Sequence, residues 1–90
     1  MTSKNSKQLE RVFKGVANHW RIEILLVIGK DDGISLHRIA EQLDGNIKTI
    51  SEHTRRLVAA GLVNKKYSSR TVVHSLSPYG KKILQILKTF

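Results

Sequence analysis

Residues 46–63, NIKTISEHTRRLVAAGLV, predict a helix with two unlike sides that runs into the first strand of a hairpin. The inward side collects the apolar residues that recur at helical spacing, which are Ile47, Ile50, Leu57 and Val58, together with Thr54. The outward side carries Lys48, Thr49, Glu52, Arg55 and Arg56, with Ser51 and His53 on the flanks. Asn46 can cap the first turn by accepting a free backbone N–H, and Gly61 can end the helix in the left-handed conformation. The helix therefore packs by one side and presents hydrogen-bonding and cationic groups on the other.

The segments next to this helix predict a winged helix-turn-helix. Ser35 can cap a preceding helix, and residues 44–46 form a tight turn. The apolar stripe of that preceding helix consists of Leu36, Ile39, Ala40 and Leu43. Residues 62–67 and 71–76 contain the strand formers Val, Tyr and Thr, and residues 68–70 are short enough for a hairpin turn. Two helices joined by a short turn and followed by such a hairpin form a winged helix-turn-helix.

The two ends of the chain add three further helices. Ser6 can cap the first helix, Asn18 the second, and Ser77 the last, in which Pro78 suits the first position because it needs no N–H. The second helix is expected to turn Ile22, Leu25, Leu26 and Ile28 inward, and Ile34 can add a short strand residue after it. The predicted fold class is mainly α with a small β-hairpin, in the order α-α-α-α-β-β-α. We expect one domain over residues 1–90, with residues 1–5 frayed.

The charge of the chain is unevenly distributed. The net charge is +9, and all seven acidic residues precede residue 53. Residues 1–52 contain eight Lys or Arg, a net charge of +1, whereas residues 53–90 contain eight Lys or Arg and no acid, a net charge of +8. A half-chain without acids cannot neutralise itself, which indicates a polyanionic partner, most often nucleic acid and less often an anionic membrane.

The composition argues against several classes of protein. There is no cysteine, so disulfides and thiolate metal sites are excluded, and the four histidines lack the spacing of metal ligands. No glycine-rich phosphate loop or motif-supported carboxylate pair is present, so we expect neither an enzyme nor a bound cofactor. The longest apolar run, residues 24–28, is too short to cross a bilayer, and the N-terminus lacks a signal peptide's apolar core. We expect a cytoplasmic protein without membrane contact.

The outward side of residues 46–63 suits double-stranded DNA, whose major groove accepts a helix of this width and displays donors and acceptors. We expect Lys48, Thr49, Ser51, Glu52, His53 and Arg55 to face that groove. We expect Arg56, Lys65, Lys66 and Arg70 to contact phosphate or the minor groove. The alternative is a protein- or RNA-interaction module. The absence of acid after Glu52 favours nucleic acid, and Tyr67, the single aromatic of the wing, disfavours single-stranded RNA, whose readers stack bases on several aromatics.

Four segments resemble the arsenic-repressor (ArsR/SmtB-type) winged-helix regulators. They are VANHWRIEILLVI at 16–28, ISLHRIAEQL at 34–43, residues 46–63, and HSLSPYG at 74–80, so the resemblance spans residues 9–90. It implies a dimeric bacterial or archaeal repressor whose fourth helix enters the major groove and whose terminal helices dimerise. The MarR type shares residues 57–63 and 75–80, so the subfamily stays open. Ile47, Glu52, Thr54 and the position of Gly45 depart from the family pattern, and the ligands of its metal sites are absent.

The first and last helices each carry an apolar stripe. The stripes consist of Leu9, Val12, Phe13 and Val16 in the first helix, and Ile83, Ile86, Leu87 and Phe90 in the last. The resemblance implies that both helices lie at a two-fold interface, so we expect a homodimer on a palindromic operator. The alternative is that the helix-turn-helix core of the same chain covers both stripes.

Overall fold

The computed structural model describes residues 3–90 as five helices and a small antiparallel sheet. The elements are α1 (Ser6–Val16), α2 (His19–Lys30), β1 (Ile34–Ser35), α3 (Leu36–Leu43), α4 (Ile47–Ala59), β2 (Val63–Ser68), β3 (Thr71–Leu76) and α5 (Pro78–Leu87). The predicted fold class is confirmed: α3 and α4 form the helix-turn-helix, and the β2–β3 hairpin is the wing. No helix among these residues combines the length and apolar character needed to cross a membrane.

Side-chain caps start the helices where the sequence predicts them, with one exception. The predicted caps Asn18, Ser35, Asn46 and Ser77 each accept a hydrogen bond from a backbone N–H in the first turn of their helix. Helix α1 is instead capped by Asn5, so the prediction of Ser6 is wrong. The Asn5 side chain accepts from Gln8 N at 2.9 Å, and the Gln8 side chain accepts from Asn5 N at 2.9 Å. This reciprocal pair satisfies two donors, whereas Ser6 as cap would satisfy one. Of the segment expected to be frayed, residues 1–2 lie outside the described residues.

The core lies where α2, α3, α4 and the hairpin base meet. The fully buried large side chains are Ile24, Leu25, Ile28, Ile39, Ile50, Leu57, Leu62 and Val63. Helix α2 contacts α1, α3, α4, α5 and β3, so it is covered on more than one side. For this reason Ile24 and Val27 are buried, whereas Leu26, expected to turn inward, is 37% exposed, and that prediction is wrong.

The sheet has the strand order β1-β3-β2, with both pairs antiparallel. Ile34 pairs with His74, so the predicted short strand residue is confirmed. In the hairpin, Ser68 pairs with Thr71, which leaves a two-residue turn of Ser69 and Arg70. Ser69 adopts a positive φ of 57°, the left-handed conformation that such tight hairpin turns require.

A short hydrogen-bonded corner joins α4, the wing and α5. The buried Ser77 hydroxyl donates to Gly61 O at 2.6 Å and accepts from Gly80 N at 3.0 Å. The Ser77 backbone N–H donates to Leu62 O at 3.0 Å. Gly61, with φ 78°, ends α4 in the predicted left-handed conformation. The Gly80 backbone lies so close to Leu62 O that a Cβ on residue 80 would overlap that oxygen.

This close approach predicts that Gly80→Ala destabilises the protein strongly. The obstacle is backbone rather than a flexible side chain, so the first turn of α5 must shift, at a cost of roughly 2 kcal/mol or more in the free energy of unfolding. Chemical denaturation measures this cost. The control is Gly33→Ala, where a Cβ meets nothing within 4 Å and only the strain of φ +84° acts. That strain costs about 1 kcal/mol. Equal losses in the two variants would contradict the steric argument.

Candidate nucleic-acid interface

Helix α4 packs on the core by a narrow strip of side chains. Ile50 and Leu57 are fully buried, and Thr54 is 3% exposed. Val58 is half-buried. Ile47, predicted on the inward side, is 38% exposed, so that prediction is wrong. The exposed side of α4, which includes Lys48, Ser51, Arg55 and Arg56, is open to a partner.

The turn before α4 takes its left-handed residue from Asp44 rather than from a glycine. Asp44 has φ 50° and ψ 43°, and Gly45 N donates to Ala40 O at 3.0 Å. Gly45 serves packing instead: a Cβ on it would lie 2.9 Å from Ile50 Cδ1 and 3.3 Å from Trp20 Cζ3. The glycine that departs from the family pattern therefore lets the turn lie directly on the core, which fixes the direction in which α4 leaves α3.

The predicted groove-facing residues do not share one environment. Lys48, Ser51 and Arg55 are exposed, whereas Thr49, Glu52 and His53 are half-buried. His53 lies on the flank of α4 that faces α2, where its Nδ1 is buried and has no hydrogen-bond partner among residues 3–90. The outward side of α4 is thus formed chiefly by the other five side chains, and His53 borders it.

His53 is held in its neutral form by its surroundings. Burial lowers the pKa of His53 below its usual 6.5, and the positive charges of Arg21 and Arg56 lower the pKa further. Near neutral pH this imidazole is therefore uncharged, so it can exchange hydrogen bonds but adds no positive charge.

Glu52 joins two arginines on the exposed side of α4. Arg55 donates from Nε to Glu52 Oε2 at 3.2 Å and from Nη2 to Oε1 at 2.7 Å, and Arg56 Nε donates to Oε1 at 3.1 Å. The hydrogen bonds from Arg55, more than any other contact, lower the pKa of Glu52, and the same pairing raises the pKa of Arg55. The carboxylate is therefore occupied by its own helix and offsets part of the positive charge there.

The wing stands beside the other flank of α4. Lys65 lines a cavity of about 250 Å³ together with Ser51 and Arg55. Lys66, the next residue along β2, points to the opposite face of the sheet because successive strand residues alternate. Arg70 lies in the turn at the exposed tip. The structure thus brings Lys65 next to α4, whereas Lys66 and Arg70 extend the basic surface away from it.

The structure also places cations near α4 that the sequence analysis left out. Arg11, Lys14 and Arg21 line a groove together with Arg56. The net charge of residues 1–52 gives no sign of these three cations, because the acids in the same half of the chain reduce its net charge to +1. The spacing of Arg11 and Lys14, three residues apart on one side of α1, is the signal that could have revealed the pair.

The two apolar stripes divide between the core and the surface. Val12, Val16 and Ile83 are buried by their own chain, and Leu9 and Leu87 are half-buried. Phe13, Ile86 and Phe90 stay 54%, 46% and 100% exposed. Phe13 and Ile86 line a groove of about 360 Å³ between α1 and α5, in which Val12 and Ile83 also take part. The apolar surface open to a partner is therefore narrower than the stripes suggested.

The histidines do not gather into a site. Within residues 3–90 no group of three or more His, Asp or Glu side chains could hold a metal ion. His74 is buried in the sheet, where its Nδ1 lies 3.0 Å from Ile34 O. This hydrogen bond joins β3 to β1, which gives His74 a structural role.

Comparison with known proteins agrees with this geometry. Residues 19–64 match the family model described as winged helix-turn-helix DNA-binding. The chain is similar to the transcriptional activator HlyU of Vibrio cholerae, with 31% identity over 74 residues, which are 82% of this chain and 68% of that protein.

Solved structures show the same fold. The structure of HlyU from Vibrio cholerae matches with a TM-score of 0.85 at 28% identity, over 98% of this chain and 96% of that one. A homodimeric winged helix-turn-helix domain of Mycobacterium bovis, from a possible ArsR-family regulator, matches with a TM-score of 0.83 at 20% identity, over 99% and 88%. The transcriptional repressor PagR of Bacillus anthracis matches with a TM-score of 0.82 at 17% identity, over 90% and 93%. At these lower identities the last two show likeness of fold alone.

The Glu52 contacts predict that Glu52→Ala strengthens binding to duplex DNA of random sequence. Removal of the carboxylate releases Arg56 for phosphate and Arg55 for the bases, so the plot of log affinity against log salt should steepen by about 0.9 per protomer. Fluorescence anisotropy over a salt series measures this slope. The control Glu23→Ala removes an exposed carboxylate from α2 and changes the net charge equally. Weaker binding to random duplex in the Glu52 variant would show that this carboxylate assists binding instead.

The lowered pKa of His53 predicts that the protein loses stability as the pH falls. The unfolded chain binds a proton at this histidine near pH 6.5, whereas the folded protein binds it at lower pH. The free energy of unfolding is therefore highest above about pH 6.5 and decreases below it. Melting temperatures at about pH 7.5 and pH 5.5 should differ less in His53→Gln than in the wild type. His37→Gln, at an exposed position of α3, should keep the wild-type difference, and an unchanged difference in His53→Gln would contradict the assignment.

Proposed function

This chain belongs to the winged helix-turn-helix DNA-binding family as a transcriptional regulator similar to HlyU, and we propose that it acts as a homodimeric repressor on a palindromic operator. The observation that carries the proposal is the position of α4, whose hydrogen-bonding and cationic side chains face outward beside a basic wing. We further propose that residues 1–90 work as one DNA-binding domain in the cytoplasm.

The proposed base contacts come from the outward side of α4. Lys48, Thr49, Ser51 and Arg55 reach the edges of the base pairs, where lysine and arginine suit guanine and the hydroxyls accept or donate. Glu52 pairs with Arg55 and Arg56, so we assign it the role of limiting how freely these two arginines contact DNA, rather than a base contact of its own. His53 borders this side as a neutral group, and we assign it to the margin of the groove.

The proposed phosphate contacts lie on the wing and at the end of α4. Arg56, Lys65, Lys66 and Arg70 are all exposed. Glu52 pairs with Arg56, whereas no acid follows Glu52 in the sequence beside the three cations of the wing. Phosphate contacts position the protein and supply salt-dependent affinity, whereas base contacts supply preference for a sequence. Arg70, at the tip of the hairpin, suits a narrow minor groove, whose negative potential attracts arginine.

The proposed dimer forms through the groove between α1 and α5. Phe13 and Ile86 expose large apolar surface there, and Phe90 is fully exposed at residue 90; such exposure is costly in water for a chain of this size. A second copy related by a two-fold axis would cover the same residues on both chains. Such a dimer would present its two α4 helices to successive major grooves, roughly 34 Å apart, and would thereby select a palindrome.

Repression needs no contact beyond occupancy of the operator. A dimer bound across a promoter excludes the polymerase, whereas activation requires a further productive contact with it. The relative HlyU is named an activator and the fold neighbour PagR a repressor, so this fold serves both outcomes. An operator is first selected from random duplex DNA and placed across a promoter. Transcription in vitro from that promoter should decrease when the protein is added, and an increase in transcript would contradict repression.

The dimer proposal predicts that Phe13→Glu together with Ile86→Glu produces a folded monomer. Both side chains are about half exposed, so the chain should fold, but four carboxylates would repel each other across the interface. Analytical ultracentrifugation should show a monomer that no longer binds the palindrome tightly and keeps weak, salt-sensitive binding to a half-site. Selection from random duplexes supplies the operator for this test.

The matched control for this experiment is Leu26→Glu, an exposed apolar position on α2 that lies outside the groove. The control should remain a dimer. A wild-type protein that is monomeric at tens of micromolar, and that also binds DNA as a monomer, would refute the interface and leave DNA binding intact.

A further inference from the structure

A second basic surface lies on the flank of α4 opposite the wing. It is an open groove of about 630 Å³ between α1 and the end of α4. Its cationic lining residues are Arg11, Lys14, Arg21, Arg55 and Arg56. We call it the α1–α4 groove. None of its first three cations belongs to the helix-turn-helix or to the wing.

Small residues let the groove exist. A Cβ on Gly15 would overlap the Cβ of Ala60, so α1 and the end of α4 lie in direct contact. Gly15, Ala17, Ala59 and Ala60 line the groove between the charged side chains. Because these four residues have short side chains or none, the cations surround an open space instead of packing against bulky neighbours.

The positive charge around this groove is only partly balanced within the protein. Lys14 lies 3.7 Å from Glu10 in an exposed pair, and Arg56 shares Glu52 with Arg55. Arg11 has no ion pair with any of residues 3–90. Two carboxylates therefore stand against five cations at this surface, which leaves a net excess of positive charge.

Arg21 is the most informative member of the group. Its Nε is buried and has no hydrogen-bond acceptor among the described residues. A buried donor without an acceptor is costly, and a charged donor more so. The same local positive potential is felt by His53, whose pKa Arg21 and Arg56 help to lower. An anion in the groove would lower the electrostatic cost of holding these groups together.

The position of the groove identifies the anion. Arg55 and Arg56 belong both to the outward side of α4 and to the lining of the groove, so the two surfaces are continuous. The wing, with Lys65, lies on the other flank of the same helix. A major groove has a phosphate backbone on each side, so a helix lying in it meets one strand on each flank.

We propose that the α1–α4 groove binds the phosphate backbone of the DNA strand opposite the one that the wing contacts, with Arg11, Lys14 and Arg21 as the contacting cations. This inference rests on the proposed function and adds a second row of phosphate contacts to it. The duplex is then held on both flanks of α4, so the rotation of that helix within the major groove is restrained.

The test compares two charge-matched double variants of the full chain. Arg11→Gln with Lys14→Gln removes two exposed cations of the groove, and Lys30→Gln with Lys88→Gln removes two exposed cations outside it, at the ends of α2 and α5. The groove variant should reduce the salt slope by about 0.9 for each phosphate that it no longer neutralises. It should weaken binding to the selected operator and to random duplex by the same factor, because phosphate contacts carry no base preference. The control variant should keep the wild-type salt slope and affinity, apart from a small decrease in affinity that follows from its lower net charge.

Arg21→Gln is tested separately, since its side chain is half-buried and melting must first show that the variant folds. Ethylation interference then locates the contacts. In the wild type, ethylation of phosphates on both strands of each half-site should block binding. In the groove variant, sensitivity should decrease on one strand of each half-site, and in Arg70→Ala on the other strand of that half-site.

Two outcomes overturn the proposal in distinguishable ways. If the groove variant matches its control in slope and interference pattern while the wild type binds duplex DNA, the groove is not a phosphate site and the proposed function stands. If the wild type shows no salt-dependent binding to any duplex, the proposed function fails together with the groove.

Discussion

The hydroxyl of Ser77 connects the parts of this protein that must keep fixed relative positions. It donates to Gly61 O at the end of α4 and accepts from Gly80 N in the first turn of α5, while the Ser77 N–H donates to Leu62 O at the base of the wing. Three elements therefore meet at one corner that has no room for a side chain on residue 80. A shift at this corner would move α4, the hairpin beside it and α5 relative to one another. Rigid placement of this kind is what lets a small domain present several contacts at once.

The outward side of α4 carries several cations and also a carboxylate that offsets part of their positive charge. Glu52 holds Arg55 by two hydrogen bonds and Arg56 by one, so the most basic stretch of the helix contains its own counter-charge. Cations that pair with phosphate raise affinity for every sequence, and a carboxylate among them restrains this general affinity. The chain of net charge +9 thus has an outward side of α4 that is less positive than its arginines suggest, because Glu52 pairs with both of them.

The two flanks of α4 are built differently. On one side Lys65 approaches Ser51 and Arg55 from the hairpin, and on the other Arg21 approaches Arg56 and His53 from α2. Burial and these two arginines lower the pKa of His53, so the positive charge of the second flank lies on the arginines rather than on the imidazole. The apolar residues of α1 and α5 also divide into two groups. Val12 and Ile83 are buried and stabilise the single chain, whereas Phe13 and Ile86 remain exposed.

The sequence by itself determined the order of the elements, four of the five helix caps, the end of α4 at Gly61 and the uneven charge. These features depend on residues a few positions apart, such as Asn46 and the N–H groups of Lys48 and Thr49, so local rules suffice to predict them. Only the tertiary structure decided which apolar residues are covered, because Leu26 and Ile47 have the same hydrophobic character as their buried neighbours and differ solely in what packs against them. It also decided that Arg21 lies beside Arg56, thirty-five positions later in the chain, since such a contact exists only once α2 and α4 have packed together.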